Sequence, residues 1–135
     1  ELNIPIAVSE QYPQGLGKTL PVLASIAEKN KHYIYFDKCD FSGATTEILR
    51  NNLKKLERKH VILIGIEAHV CVFQTAIELR QQGYAVFVVA DAIGSRSPYD
   101  KEMALLRLIP HGIQVVTKEM VFFEWLRSSQ HPQFK

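Results

Sequence analysis

The chain has 135 residues, 47% of them hydrophobic and 22% charged, with 7 Gly, 6 Pro and 2 Cys. One domain's worth of sequence with that apolar content can bury a core unaided, which excludes a disordered, collagen-like or disulfide-framework protein. Lys plus Arg is 16 and Asp plus Glu 14; the densest basic run, Lys54, Lys55, Arg58, Lys59 and His60, falls at a predicted helix end where cations complement the dipole, so no nucleic-acid partner is expected.

In chain order, the first run rich in β-branched and apolar residues is 4–9, read as a buried strand, and Tyr12-Pro13-Gln14-Gly15 after it is good turn chemistry. A second strand is predicted at 32–37. Thr45 and Thr46 are candidate N-caps for a helix whose apolar positions are Ile48, Leu49, Leu53 and Leu56. The strand at 60–66 is followed by helical spacing from Cys71 to Gln82, stopped by Gly83. A strand at 85–90 leads to Ser97 as an N-cap, helical spacing from Met103 to Ile109 and a stop at Gly112. The strand at 113–116 and a helix at 118–126 complete the chain.

Strands alternating with helices over short connections argue an α/β domain spanning 1–135, a parallel sheet covered by helices on both faces. The longest apolar run, 61–66, is far short of the roughly 20 residues that cross a bilayer, and the opening residues show no signal pattern. No membrane partner is expected, and two cysteines outside any Cys-x-x-Cys spacing fit a reducing, cytoplasmic setting.

Ligands of such sheets collect beyond the carboxyl ends of the strands, which directs attention to 10–19, 38–43, 67–70 and 91–98. Cys71 follows the strand 60–66 by one short loop and opens a helix. Backbone N–H groups and the positive helix end there favour the nucleophilic thiolate and can hold an oxyanion; a small buried Cys capping the helix is the alternative. Lys38 ends the second strand and would bring a cation to the same sheet edge, unless it simply decorates the surface. Cys39 has no helix start after it and reads as structural. Gln11 and Tyr12 can line a pocket for a small polar substrate, or belong to the turn. His69 is the one histidine beside Cys71, either a substrate-contacting, proton-handling group or a loop residue. Asp91, Ser95, Arg96 and Ser97 face a pocket, a neighbouring subunit or their own helix start; Arg96 is a candidate carboxylate reader.

These residues together resemble the isochorismatase-like cysteine hydrolases. Ile64-Gly65-Ile66-Glu67-Ala68-His69-Val70-Cys71-Val72 is similar to that family's nucleophile segment, and Gly83-Tyr84-Ala85-Val86 through Asp91-Ala92 to its next strand and loop. Ser9-Glu10-Gln11-Tyr12-Pro13-Gln14-Gly15-Leu16-Gly17 and the closing His131-Pro132-Gln133-Phe134-Lys135 are closer still to the subgroup of isochorismatase domain-containing proteins.

The resemblance implies a three-layer, Rossmann-like α/β/α fold and a Cys, Lys, Asp triad with Cys71 as nucleophile and Lys38 as its lysine. It implies a cis peptide at Ile66-Glu67, with the backbone N–H groups of Glu67 and Cys71 as the oxyanion hole, and a homo-oligomer. The triad Asp ends the family's first, central strand. Asp37, Asp40, Glu67 and Asp91 do not match it, so the 135 residues are expected to lack that strand and to be part of a longer chain. Nicotinamidases of the superfamily carry an Asp-x-His-x-His metal site, a spacing absent around His32, His60, His69, His111 and His131, so no metal and no other cofactor is expected. True isochorismate hydrolases lack a cysteine at the matching position, which leaves metal-independent acyl transfer from a small amide or related acyl substrate. A binding or assembly module that has lost turnover is the second expectation. A nucleotide-binding domain is disfavoured, since neither Gly-x-Gly-x-x-Gly nor a P-loop is present.

Overall fold

The computed structural model describes residues 2–134, which divide after Arg58 into two compact units. In the first, β1 (Ile6–Gln11), α1 (Pro13–Leu16), α2 (Pro21–Ala27), β2 (Tyr33–Lys38) and α3 (Glu47–Leu56) follow in order, with a 3₁₀ turn at Gly43–Thr45. β1 and β2 pair in parallel, in a register running from Ile6 opposite Tyr33 to Gln11 opposite Lys38. Both short helices begin on a proline, whose fixed φ suits the first helical position and whose missing N–H costs nothing there. Neither helix was legible from spacing: α1 has four residues, and the Val22, Leu23 and Ile26 side chains of α2 are exposed.

α3 buries Leu49 and Leu53 and carries Lys54 and Lys55 in its last turn, as expected. Its predicted threonine caps are corrected. Thr46 precedes the helix, but its hydroxyl donates to the Gly43 carbonyl at 2.8 Å, and Thr45 donates to Asp40 and to the Ser42 carbonyl. It is Ser42 that caps the 3₁₀ turn, accepting from the Ala44 N–H at 3.2 Å.

The second unit contains β3 (His60–Ile66), a π-helical turn (Ala68–Val72), α4 (Phe73–Gln81), β4 (Ala85–Gly94), α5 (Pro98–Leu108), a 3₁₀ turn (Ile109–His111), β5 (Gln114–Val116) and α6 (Lys118–Leu126). Its sheet runs β3-β4-β5, all parallel. Leu79 of α4, Val86 and Val88 of β4 and Leu108 of α5 are fully buried. Val89, Val116 and Val121 form a second cluster with Ile62, Phe87, Ala92 and Trp125. Gly83 and Gly112 take left-handed backbone, φ 93° and 73°, where α4 and the 3₁₀ turn end, as the stop signals predict.

The α/β class and parallel pairing hold, but the strands form two ladders, β1-β2 and β3-β4-β5, rather than one. A parallel crossover fixes strand direction; it does not fix which strands become neighbours. β4 also outruns its predicted end at 90. Its pairing with β3 shifts from Leu63 opposite Val88 to Gly65 opposite Ile93, an irregularity that bends the strand and carries it to Gly94. The expectation of buried strands holds best for the middle strand β4, where 85–90 has no exposed residue, and fails for β3, whose Ile64 and Ile66 are 65% and 77% exposed; β3 has a sheet neighbour on one side only. Among the described residues no helix is long and apolar enough to cross a membrane.

Candidate active site

In the first unit, the parallel register of β1 and β2 sets Gln11 directly opposite Lys38. The Lys38 side chain is buried. Its ammonium donates to Gln11 Oε1, to the Asp40 carbonyl at 3.0 Å and to the Phe41 carbonyl at 2.9 Å, matching the three donors of an ammonium. Gln11 Nε2 donates in turn to the Cys39 carbonyl at 2.6 Å. Lys38 is therefore no surface decoration; it is a held cation at the carboxyl edge of this sheet.

Tyr12 stands at the start of α1 with left-handed backbone, φ 40°, and its ring lies so close over Gly15 that a Cβ there would meet Tyr12 Cε1 at 2.1 Å. Glycine at 15 is what lets the ring lie down. Cys39 is exposed and unpaired with any other cysteine.

Sequence reading passed over Glu10, whose buried carboxylate accepts the Thr19 N–H at 2.6 Å and the Tyr35 hydroxyl at 2.7 Å. Chiefly the Thr19 N–H, then the Tyr35 hydroxyl, hold the Glu10 carboxyl below its usual range, while donating to Glu10 pushes the Tyr35 phenol up to about 12. A lone acid interrupting an apolar strand was the signal available.

In the second unit, Cys71 lies half-buried in the π-helical turn, two residues before α4. The predicted helix from Cys71 is thus corrected at its start: the Glu67 carbonyl accepts the N–H groups of both Val70 (3.2 Å) and Val72 (3.1 Å), a wider first turn than an α-helix makes. The Ile66–Glu67 peptide is cis.

The Glu67 side chain is gripped by Arg96. Nε donates to Oε1 and Nη2 to Oε2, each at 2.9 Å, and the Arg96 backbone N–H adds a third bond to Oε1 at 3.1 Å. Hydrogen bonding from the Arg96 side chain, then from its backbone, holds the Glu67 carboxyl down at about 2, and the guanidinium is pushed up in exchange. The Nε and Nη2 edge of the Arg96 guanidinium is therefore spent on Glu67 and is not the edge that would read a substrate carboxylate.

His69 Nδ1 lies 2.9 Å from Ser95 Oγ, and its Nε2 is 3.9 Å from Asp100 Oδ2. Ser97 caps α5, accepting the Asp100 N–H at 3.3 Å, as expected. Asp91 lies within β4 instead of closing it, and its carboxylate accepts the Lys118 N–H at 2.8 Å, so it serves the start of α6. Among the described residues, no three His, Cys, Asp or Glu side chains gather as metal ligands would.

The profile of the isochorismatase domain matches residues 1–120. Isochorismatase domain-containing protein 2 of Danio rerio is 42% identical over 135 residues, covering 99% of this chain and 66% of its own length. The solved structure described as MAR1 ribonuclease from Caenorhabditis elegans superimposes with a TM-score of 0.88 at 40% identity, over 97% of this chain and 66% of that one. The YcaC gene product of Escherichia coli, described as an octameric hydrolase of unknown specificity, superimposes with a TM-score of 0.87 at 25% identity, over 95% and 62% of the two chains. This chain spans between 46% and 66% of the length of the curated relatives it matches. A profile match running through both units, over 1–120 of the 135 residues, establishes that the chain belongs to the isochorismatase domain family.

Proposed function

We propose that the protein is a metal-independent cysteine hydrolase of a small amide or related acyl compound, with Cys71 as nucleophile. The observation that carries this reading is the position of Cys71, in a turn that leaves the end of β3 and feeds α4, where the positive end of the helix favours negative charge. Family membership supports hydrolysis as the reaction class.

The Cys71 thiolate attacks the carbonyl carbon and a C–S bond forms while the carbonyl π pair moves to oxygen, held by the N–H groups of Glu67 and Cys71. Collapse of that oxyanion breaks the C–N bond, and the amine leaves with the proton that the thiol gave up on becoming the thiolate. Water then attacks the thioester, releasing the acid and returning the thiol. Lys38 is the lysine of the triad that the family resemblance implies, and its three held donors fix where its charge sits within the first unit. Gln11 acts by holding Lys38, and His69, in the unit of Cys71, is assigned a substrate contact. The triad carboxylate that the family resemblance adds has no match among these 135 residues. The working state is a homo-oligomer, supported by the octamer described for the YcaC gene product of Escherichia coli.

The test is a panel of small amides and esters, with mass spectrometry to trap an acyl group on Cys71. Turnover that disappears in Cys71→Ser and persists in Cys39→Ser supports the reading; turnover that survives Cys71→Ser ends it. No turnover and no adduct favour the binding or assembly module. A second reaction class, RNA cleavage, is favoured by the ribonuclease description of the Caenorhabditis elegans relative, and a short single-stranded RNA in the same panel tests it.

A further inference from the structure

Three consecutive residues of the β4–α5 loop each make a defined bond. Ser95 meets His69, Arg96 grips Glu67 with three N–H groups, and Ser97 caps the helix that carries Asp100, itself facing His69. Two of these three reach the segment that bears Cys71. The Arg96 grip on that segment is directional, because two parallel N–H···O bonds fix the carboxylate plane as well as its position. Glu67 is also the residue whose carbonyl accepts from Val70 and Val72 on either side of Cys71, so a displacement of Glu67 is passed directly to the Cys71 backbone.

We propose that Arg96 is a positioning residue: through Glu67 it sets the orientation of the Cys71 turn. The proposal rests on Cys71 being the nucleophile, and it adds a device remote from the thiol. An ion pair whose Arg96 side chain is 80% exposed contributes little to stability. Holding reacting groups in register is where it acts, since a misplacement of about 1 Å costs roughly 100-fold in rate.

The experiment uses the full chain with Arg96→Ala and Arg96→Lys, and two readouts. The first is iodoacetamide labelling of Cys71 relative to Cys39 in the same molecule, followed by peptide mass spectrometry, which needs no substrate. The second is the split between kcat and KM on whichever amide the panel identifies. Arg96→Ala is expected to slow Cys71 labelling roughly tenfold against Cys39 and to lower kcat by a similar factor at unchanged KM. The melting temperature should stay within about 3 °C of the parent. Arg96→Lys, which keeps the charge and loses the fork, should remain slow, and added methylguanidinium should restore part of the Arg96→Ala rate. An unchanged or faster Cys71 ratio overturns the proposal, as does a loss that tracks a collapse in melting temperature or that methylguanidinium leaves untouched. If turnover survives Cys71→Ser, the nucleophile reading itself fails; the labelling ratio reports on the Arg96 grip in either case.

Discussion

Leu106 and Leu108 sit two residues apart on α5, so truncating each to alanine makes the same chemical change in the same helix. Helix propensity and most effects on the unfolded chain then cancel between the two variants. What differs is burial: Leu108 is 0% exposed and Leu106 is 56% exposed. Leu108 faces inward with Ala104 one turn earlier, where α5 packs on α4, β4 and β5. Leu108→Ala removes three carbons from a closed core and leaves a void, a loss of about 3 kcal/mol or more. Leu106→Ala gives up only partly buried surface and gains some helix propensity, so about 1 kcal/mol or less is expected. Urea denaturation should show the midpoint of Leu108→Ala falling well below that of Leu106→Ala with slopes unchanged. In a thermal scan the gap is roughly 10 to 20 °C, the larger value applying if residues 59–135 melt on their own. Equal losses in the two variants would refute the reasoning, because the inward face of α5 would then not be the one that Ala104 and Leu108 define.

Ser97→Ala removes the side-chain acceptor for the Asp100 N–H and should cost about 1 kcal/mol, read from the same urea curves. Lys38→Met keeps the buried stem and deletes the three bonds to Gln11 Oε1 and the Asp40 and Phe41 carbonyls. A loss of about 2 kcal/mol follows whatever the role of Lys38 in catalysis, whereas an unchanged midpoint would mean that these bonds do not hold in solution. Glu67 has its folded pKa depressed to about 2, so its stabilising contribution is fully present above the unfolded value of about 4.5 and lost as pH falls from there towards 2. The stability gap between parent and Glu67→Gln should therefore close over that window and stay flat from pH 5 to 8. Tyr35 has the opposite sign. Raised to about 12, it contributes fully below about pH 10 and loses that contribution as pH climbs through 12, so Tyr35→Phe should flatten the alkaline limb of the stability profile.

The fold was legible where burial and periodicity coincide. β3 and α6 match their predicted limits, His60–Ile66 and Lys118–Leu126, and β2 differs by one residue at each end. Spacing failed on α2, because a seven-residue helix that turns Leu23 and Ile26 outward shows no two-sided pattern to detect. It failed differently at β4. The apolar run 85–90 marks only the stretch before the ladder shifts, and the Asp91 that seemed to end the strand is instead turned aside to meet the α6 backbone. An acid inside a strand reads as a strand end unless a partner elsewhere in the chain accounts for it, and Lys118 lies 27 residues away.

The candidate site divides along the same line. The placement of Cys71 between β3 and α4 was legible, since the loop from strand to helix is short and local. The partners of its turn were missed because Glu67 and Arg96 are 29 residues apart, outside the reach of any helical or strand period. Parallel register nevertheless forces that meeting once β3 and β4 are known to be neighbours. Ile66 pairs with Gly94, so the residue just past β3 must come beside the residues just past β4, which are Ser95 and Arg96. The same rule joins Gln11 to Lys38 at the carboxyl ends of β1 and β2. In each unit polar groups at or just past the carboxyl ends of two paired parallel strands bind each other, and what such a strand pair presents to a ligand is set by the groups left over once those bonds are made.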